Sequence, residues 1–154
     1  MAKEKDKKDD QYQSIKLEIV TKDGNIVFSE NIAMVNFPGE SGVFTILPGH
    51  TPFFSTLRVG TLKYKMKEED EKYQFASVIG GFCEANPDYI NVITNACEPV
   101  QKIDIKRAEE SKKRAEQRIK NHDETFDSAR AEASLARAIA RISTVSFFNQ
   151  QQQN

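Results

Sequence analysis

Six arginines recur at helical spacing in the last third of the chain, and they are the side chains best equipped for chemistry. At about 3.6 residues per turn, Arg107, Arg114 and Arg118 share one stripe, and Arg130, Arg137 and Arg141 share another. A solvated helix face, or pairing with acids four residues away, would explain such stripes, yet lysine or glutamate would serve a solvated face as well. Guanidinium offers a planar fork that engages phosphate or carboxylate through two parallel N–H donors, so repeated arginine points toward anion recognition. Two other runs stand out, Pro38-Gly39-Glu40-Ser41-Gly42 and Leu47-Pro48-Gly49-His50-Thr51-Pro52. By themselves they are a pair of tight turns, with Gly supplying positive φ and Pro fixing φ.

Residue spacing supplies no catalytic constellation. His50 and Cys83 could act as a base and a nucleophile only if the fold joined them, and Cys83 lies inside a strand pattern without a Gly-flanked elbow. His122 falls in the break between two helical segments, and two isolated histidines without ligand spacing make no zinc site. Neither G-x-x-x-x-G-K-[ST] nor G-x-G-x-x-G occurs, so any nucleotide must be held without a glycine loop. Two cysteines fit a reducing compartment. A hairpin around Asn86-Pro87-Asp88 sets Cys83 opposite a residue near position 91, with Cys97 several pairs beyond disulfide reach, so both are expected as buried free thiols.

The elements that must position these residues fall into two unlike parts. Ile15-Lys16-Leu17-Glu18-Ile19 alternates with period two, the mark of a half-buried strand, and Asp23-Gly24 signals a hairpin into Ile26-Val27-Phe28. Further strands are expected over Ile32–Phe37, Val43–Leu47, Thr61–Lys67, Tyr73–Glu84 and Tyr89–Cys97. Within Thr61–Lys67, Leu62, Tyr64 and Met66 take one face and the three lysines the other. All seven glycines and five prolines precede residue 100, as suits an antiparallel sandwich or barrel over residues 14–99. Residues 101–148 lack both and are rich in Ala, Arg, Lys and Glu. With Glu98-Pro99 as boundary, a break at Asn121-His122-Asp123 and Asp127 as an N-cap, residues 100–148 read as an antiparallel helical hairpin. Its apolar seam, Ala108, Ala115 and Ile119 against Leu135, Ile139 and Ile142, is narrow and alanine-rich, so the hairpin is weakly held and suited to movement. Residues 1–13 form a charged tail without an apolar region, and 149–154 a polar tail with nothing to pack.

Charge is divided unevenly. Residues 1–100 hold 11 basic and 15 acidic side chains and residues 101–154 hold 11 and 8, a balance that suggests an acidic partner for the C-terminal part. Aromatics do not interleave with a basic patch, which argues against nucleic acid. No apolar run approaches the roughly 18 residues of a membrane span.

The run from Val35 through Pro52, followed by Leu57 and Gly60, resembles the signature of bacterial F-type ATP synthase epsilon subunits, with Phe44-Thr45 standing where that family commonly has leucine and glycine. The order of a strand-rich part and an Ala/Arg-rich hairpin is similar to that family over about residues 15–148. The resemblance implies a β-sandwich of about ten strands bound to a gamma subunit and seated on a ring of c subunits. It implies a non-catalytic rotor subunit, peripheral to the cytoplasmic face of the bacterial membrane. Glu40, Ser41, Gly42, Val43 and Phe44 would form the ring-facing loop, with His50 near gamma. The hairpin would fold against the sandwich or extend toward the alpha and beta subunits, where Arg130, Arg137 and Arg141 would meet carboxylates and hydrolysis would be blocked. Ile103-Asp104-Ile105-Lys106-Arg107-Ala108 further resembles a motif through which some family members bind regulatory ATP, no cofactor being required. That likeness implies Glu98, Ile103, Asp104, Arg107, Arg114, Arg137 and Arg141 as ATP contacts. A free-standing interaction module, a sandwich with a helical arm in another assembly, is the rival reading.

Overall fold

The computed structural model describes residues 13–121 and 125–154. The charged tail, Gln13 excepted, and His122 lie outside the described residues. In β1 (Ile15–Thr21) the expected alternation buries Ile15, Leu17 and Ile19. Gly24, at φ 83°, turns the chain into β2 (Ile26–Ile32). Next come β3 (Met34–Gly39) and β4 (Gly42–Ile46), the long β5 (Phe53–Lys65) and β6 (Gln74–Ala85), then β7 (Tyr89–Thr94) and β8 (Cys97–Pro99). The order is β2-β1-β7-β6-β5-β3-β4, with β8 paired to β6. One cluster of buried side chains closes the strands over one another as a sandwich, drawing Leu17 from β1, Phe37 from β3, Leu62 from β5, Val78 from β6 and Val92 from β7. The fold is α+β, a sandwich followed by two helices.

Several expectations need adjustment. Eight strands are described rather than about ten, and β1 pairs with β7 in parallel, so the sandwich is not wholly antiparallel. β5 starts at Phe53, well before Thr61, because Phe53 and Phe54 face outward and blur the period-two pattern there. The strand expected over Tyr89–Cys97 breaks after Thr94. There Thr94 Oγ1 lies 2.6 Å from the Gly80 carbonyl oxygen and Asn95 Nδ2 donates to the Ile79 carbonyl at 3.2 Å. The break is matched by Gly80 and Gly81, at φ 65° and 124°, which bend β6 where its partner changes from β8 to β7.

The 3-10 turn Val100–Lys102 leads into α1 (Ile105–Lys120), and α2 (Ser128–Gln153) follows. The two helix starts are built alike: Asp104 accepts from the Arg107 amide and Asp127 from the Arg130 amide, each at 3.0 Å. The tail expected over residues 149–154 is instead helical to Gln153, and Gln151 and Gln152 bond to the β5–β6 turn. A packing partner distant in sequence overrode the low intrinsic tendency of this polar run to order.

Cys83 is fully buried, Cys97 is half-buried, and both are free thiols. Burial pushes the Cys83 thiol up to about 12, with the Glu84 charge adding to it, and the Cys97 thiol up to about 11, with Glu98 adding. The folded chain therefore holds these protons more tightly than the unfolded chain. That contribution to stability is complete below the ordinary thiol value and is lost as pH rises through the alkaline range. Iodoacetamide at pH 8 is expected to spare both thiols in the native chain and modify both in urea, as mass spectrometry would report. Gly81→Ala is expected to destabilise by about 3 kcal/mol in urea denaturation, because its Cβ would overlap the Ile93 carbonyl oxygen at a positive φ.

Candidate functional site

The hairpin seam is built from small side chains. Ala108 and Ala115 are buried on α1 and Ala131 and Ala138 on α2, each pair seven residues apart. Alanine lets the helices approach closely but buries little area, and at about 25 cal/mol per Å² the seam is weak. Of the larger residues expected there, Ile119, Leu135 and Ile142 are only half-buried and Ile139 is 44% exposed. The reason is that α2 serves two neighbours, α1 and the β5–β6 face, and alanines with Thr144 fill both contacts.

Beneath α2, Thr61 of β5, Ser77 of β6 and Glu98 of β8 lie in one row across adjacent strands. Thr144 Oγ1 is 2.8 Å from Thr61 Oγ1 and 2.8 Å from the Ala140 carbonyl oxygen. One turn earlier, Arg141 Nε donates to Glu98 Oε2 at 2.7 Å. Both side chains of this ion pair are about one-third exposed, at 31% and 32%, so solvent screens it to about 1 kcal/mol or less. At the far end, Gln151 makes a two-way bond with Tyr73: the Tyr73 amide donates to Gln151 Oε1 at 2.7 Å, and Gln151 Nε2 donates to the Tyr73 carbonyl at 2.9 Å. Lys72 Nζ donates to Gln152 Oε1 at 2.7 Å.

The expected ligand set is only partly assembled. Glu98 and Arg141 meet each other. Asp104 is occupied as the α1 cap, and half-buried Ile103 closes the preceding 3-10 turn. Arg114 joins Arg118 and Arg130, with Gln117 and Asn121, around a cavity of about 660 Å³ at the turn end of the hairpin. Arg107, Arg114 and Arg130 are exposed and Arg137 is half-buried. The ion pairs among the described residues are Arg141–Glu98 and Lys112–Glu116, so none of these four guanidinium groups pairs with a described carboxylate.

In the expected ring-facing loop, only Glu40 and Ser41 form the turn, while Gly42, Val43 and Phe44 belong to β4. Val43 is 65% exposed, whereas the Phe44 ring packs against Phe37 and Phe53. Gly39 leaves room for that ring, since a Cβ there would stand 2.9 Å from it. His50 Nδ1 lies 2.6 Å from the Thr51 carbonyl oxygen, and its ring meets Phe53 edge-on. Sequence reasoning missed an apolar row on the sheet surface. Phe54 stacks on Phe82 at 5.9 Å, and Phe82 stands opposite Ile93, all three exposed. The signal was present as large apolar residues on the outward phase of three strands.

Two family models match the chain. The ATP synthase Delta/Epsilon chain beta-sandwich domain covers residues 14–100 and the Delta/Epsilon long alpha-helix domain covers 101–146. The ATP synthase epsilon chain of Nitratidesulfovibrio vulgaris (strain DP4) is 43% identical over 130 residues, covering 84% of this chain and 94% of that one. That of Bacillus velezensis is 39% identical, covering 84% and 96%. A chain in a structure of Euglena gracilis mitochondrial ATP synthase shares the fold, with a TM-score of 0.71 at 21% identity, covering 83% of this chain and 79% of that one. With the two family models together matching residues 14–146 and relatives 39–43% identical over most of the chain, the chain belongs to the ATP synthase delta/epsilon chain family, on the epsilon side.

Proposed function

We propose that the chain is a central-stalk rotor subunit whose sandwich binds the gamma subunit and the c-ring and whose hairpin restrains ATP hydrolysis. It would sit peripherally on the cytoplasmic face of the membrane, carried by the complex, and no described helix is long and apolar enough to cross a bilayer. The observation that carries this reading is the thinness of the contact between hairpin and sandwich. Its buried positions are Ala140 and Thr144 of α2, and the rest is half-buried side chains with a few separable polar ties. An arm held this way can leave without exposing a core. The row Phe54, Phe82 and Ile93 supports a protein partner for the sandwich, because such a patch belongs at an interface. The Glu40-Ser41 turn and exposed Val43 would face the ring, and His50 would lie near gamma. Extended, the hairpin would present Arg130, Arg137 and Arg141 to carboxylates of the alpha and beta subunits.

ATP would be the regulatory ligand of the folded hairpin. The available forks of Arg107, Arg114 and Arg137 suit a polyphosphate, and Ile103 offers an apolar surface for a base. Arg141 engages Glu98 through Nε alone, so its Nη donors could join them, and full exchange of the carboxylate for phosphate would free Glu98 to accept from an amino group. Asp104 would act chiefly by capping α1 and so holding Arg107 in place. A ligand bound only to the folded state at 100 times its dissociation constant favours that state by about 2.7 kcal/mol. That exceeds what an ion pair one-third exposed to solvent contributes.

Ending the chain after Pro99 is expected to leave assembly intact and raise the ATPase rate of the complex. Loss of assembly, or an unchanged rate in a complex known to be inhibited by this subunit, would contradict the division of labour. Calorimetry on the isolated chain tests the ligand. Arg137→Ala with Arg141→Ala is expected to weaken ATP binding at least tenfold, and unchanged binding would remove these arginines from the site.

A further inference from the structure

We infer that the glutamine-rich last turn of α2 is a latch that fixes the hairpin in its docked position against the sheet. The family model for the helical domain ends its match at residue 146, so the latch is built from chain beyond that match. Its central contact is unusual for a helix end. The Gln151 amide accepts from the Tyr73 N–H and donates to the Tyr73 C=O, satisfying both backbone groups of one residue as a neighbouring strand would. Tyr73 immediately precedes β6, at the end of the β5–β6 turn. Lys72 adds a bond to Gln152. The tyrosine is itself held, because the Lys63 and Lys65 ammonium groups stand 4.3 and 4.9 Å from its ring centroid. The latch thus grips a fixed post and not a loose loop.

Geometry gives the latch its purpose. Arg141 and Thr144 fasten α2 to the row formed by Glu98, Ser77 and Thr61. From Thr144 to Gln151 the helix rises about 10 Å. From Ser77 back to Tyr73 the strand covers about 13 Å. The helix therefore runs along β6 in the opposite sense and is tied at both ends of that run. A rod tied only at Arg141 and Thr144 could pivot about one point, whereas a second tie at Tyr73 sets its angle as well. Between the ties apolar packing is partial, since Phe147 is 48% exposed while Val145 and Phe148 are half-buried. Partial packing leaves the helix end room to shift, and two hydrogen bonds to one backbone residue fix where it stops.

Amide hydrogen exchange on the full-length chain tests this. Gln151→Ala, and separately removal of residues 149–154, are expected to lower protection of α2 amides by about tenfold or more, with β1 and β7 amides unchanged. Alanine is the stronger helix former, so a loss of protection in Gln151→Ala cannot come from helix propensity. Unchanged α2 protection in both variants would overturn the latch. Equal loss in β1 and β7 would also overturn it, by showing that the tail supports the whole sandwich. The latch rests on the proposed function only for its consequence in the assembled complex. If the hairpin restrains hydrolysis, Gln151→Ala should deepen inhibition there, and that assay can fail while the exchange result stands.

Discussion

The ladder between β5 and β6 runs from Phe53 opposite Ala85 to Tyr64 opposite Gln74, and most of the molecule is arranged around it. One face of these strands supplies Leu57, Leu62, Ala76 and Val78 to the sandwich core. The other face, through Thr61 and Ser77, receives α2, and toward the opposite end it leaves Phe54 and Phe82 exposed. Helix docking and the open apolar row are thus alternatives laid out along the same pair of strands. The ladder could not serve both layers if it were straight. Gly80 and Gly81 let β6 exchange β8 for β7 within a few residues, and they do so only because they lack a Cβ.

The residues that make the family recognisable are mostly those without which this packing fails. Gly39 leaves space for the Phe44 ring, and Gly60 for the Pro38 ring, where a Cβ would approach within 2.8 Å. Gly49, at φ 77°, turns the Leu47-Pro48-Gly49-His50 segment, and its amide donates to the Pro87 carbonyl. These are folding roles. Of the surfaces that suit partners, Val43 lies within the signature run, whereas the Phe54–Phe82–Ile93 row and the arginines lie beside it or outside it. Within the signature, the glycines and the packed rings shape the fold, and much of the surface that suits partners is carried by other side chains.

Weak attachment of the hairpin follows from its composition. Larger residues in the seam would hold the helices together but would leave a large apolar surface bare whenever the arm opened. Alanine avoids that exposure, and polar ties replace what is lost. Each tie can be exchanged for water or for another anion at small net cost, because the side chains of Arg141 and Glu98 are already partly solvated. Such an interface is suited to responding to a ligand rather than resisting one.

Features that depend on near neighbours were legible in the sequence. Alternation identified β1, Asp23-Gly24 the first hairpin, and Asp127 the start of α2, because period, turn geometry and capping act within a few residues. The arginine stripes were equally plain, since a helix repeats its faces whatever it packs against. Which groups those faces meet could not be read. Glu98 and Arg141 stand 43 residues apart, and Tyr73 and Gln151 stand 78 apart. The parallel pairing of β1 with β7, the outward aromatics of β5 and the ordered glutamine turn share this character. A periodic pattern states which side of an element seeks burial, but only the closure of the sandwich decides what stands opposite, and that closure brought Tyr73 to the end of α2.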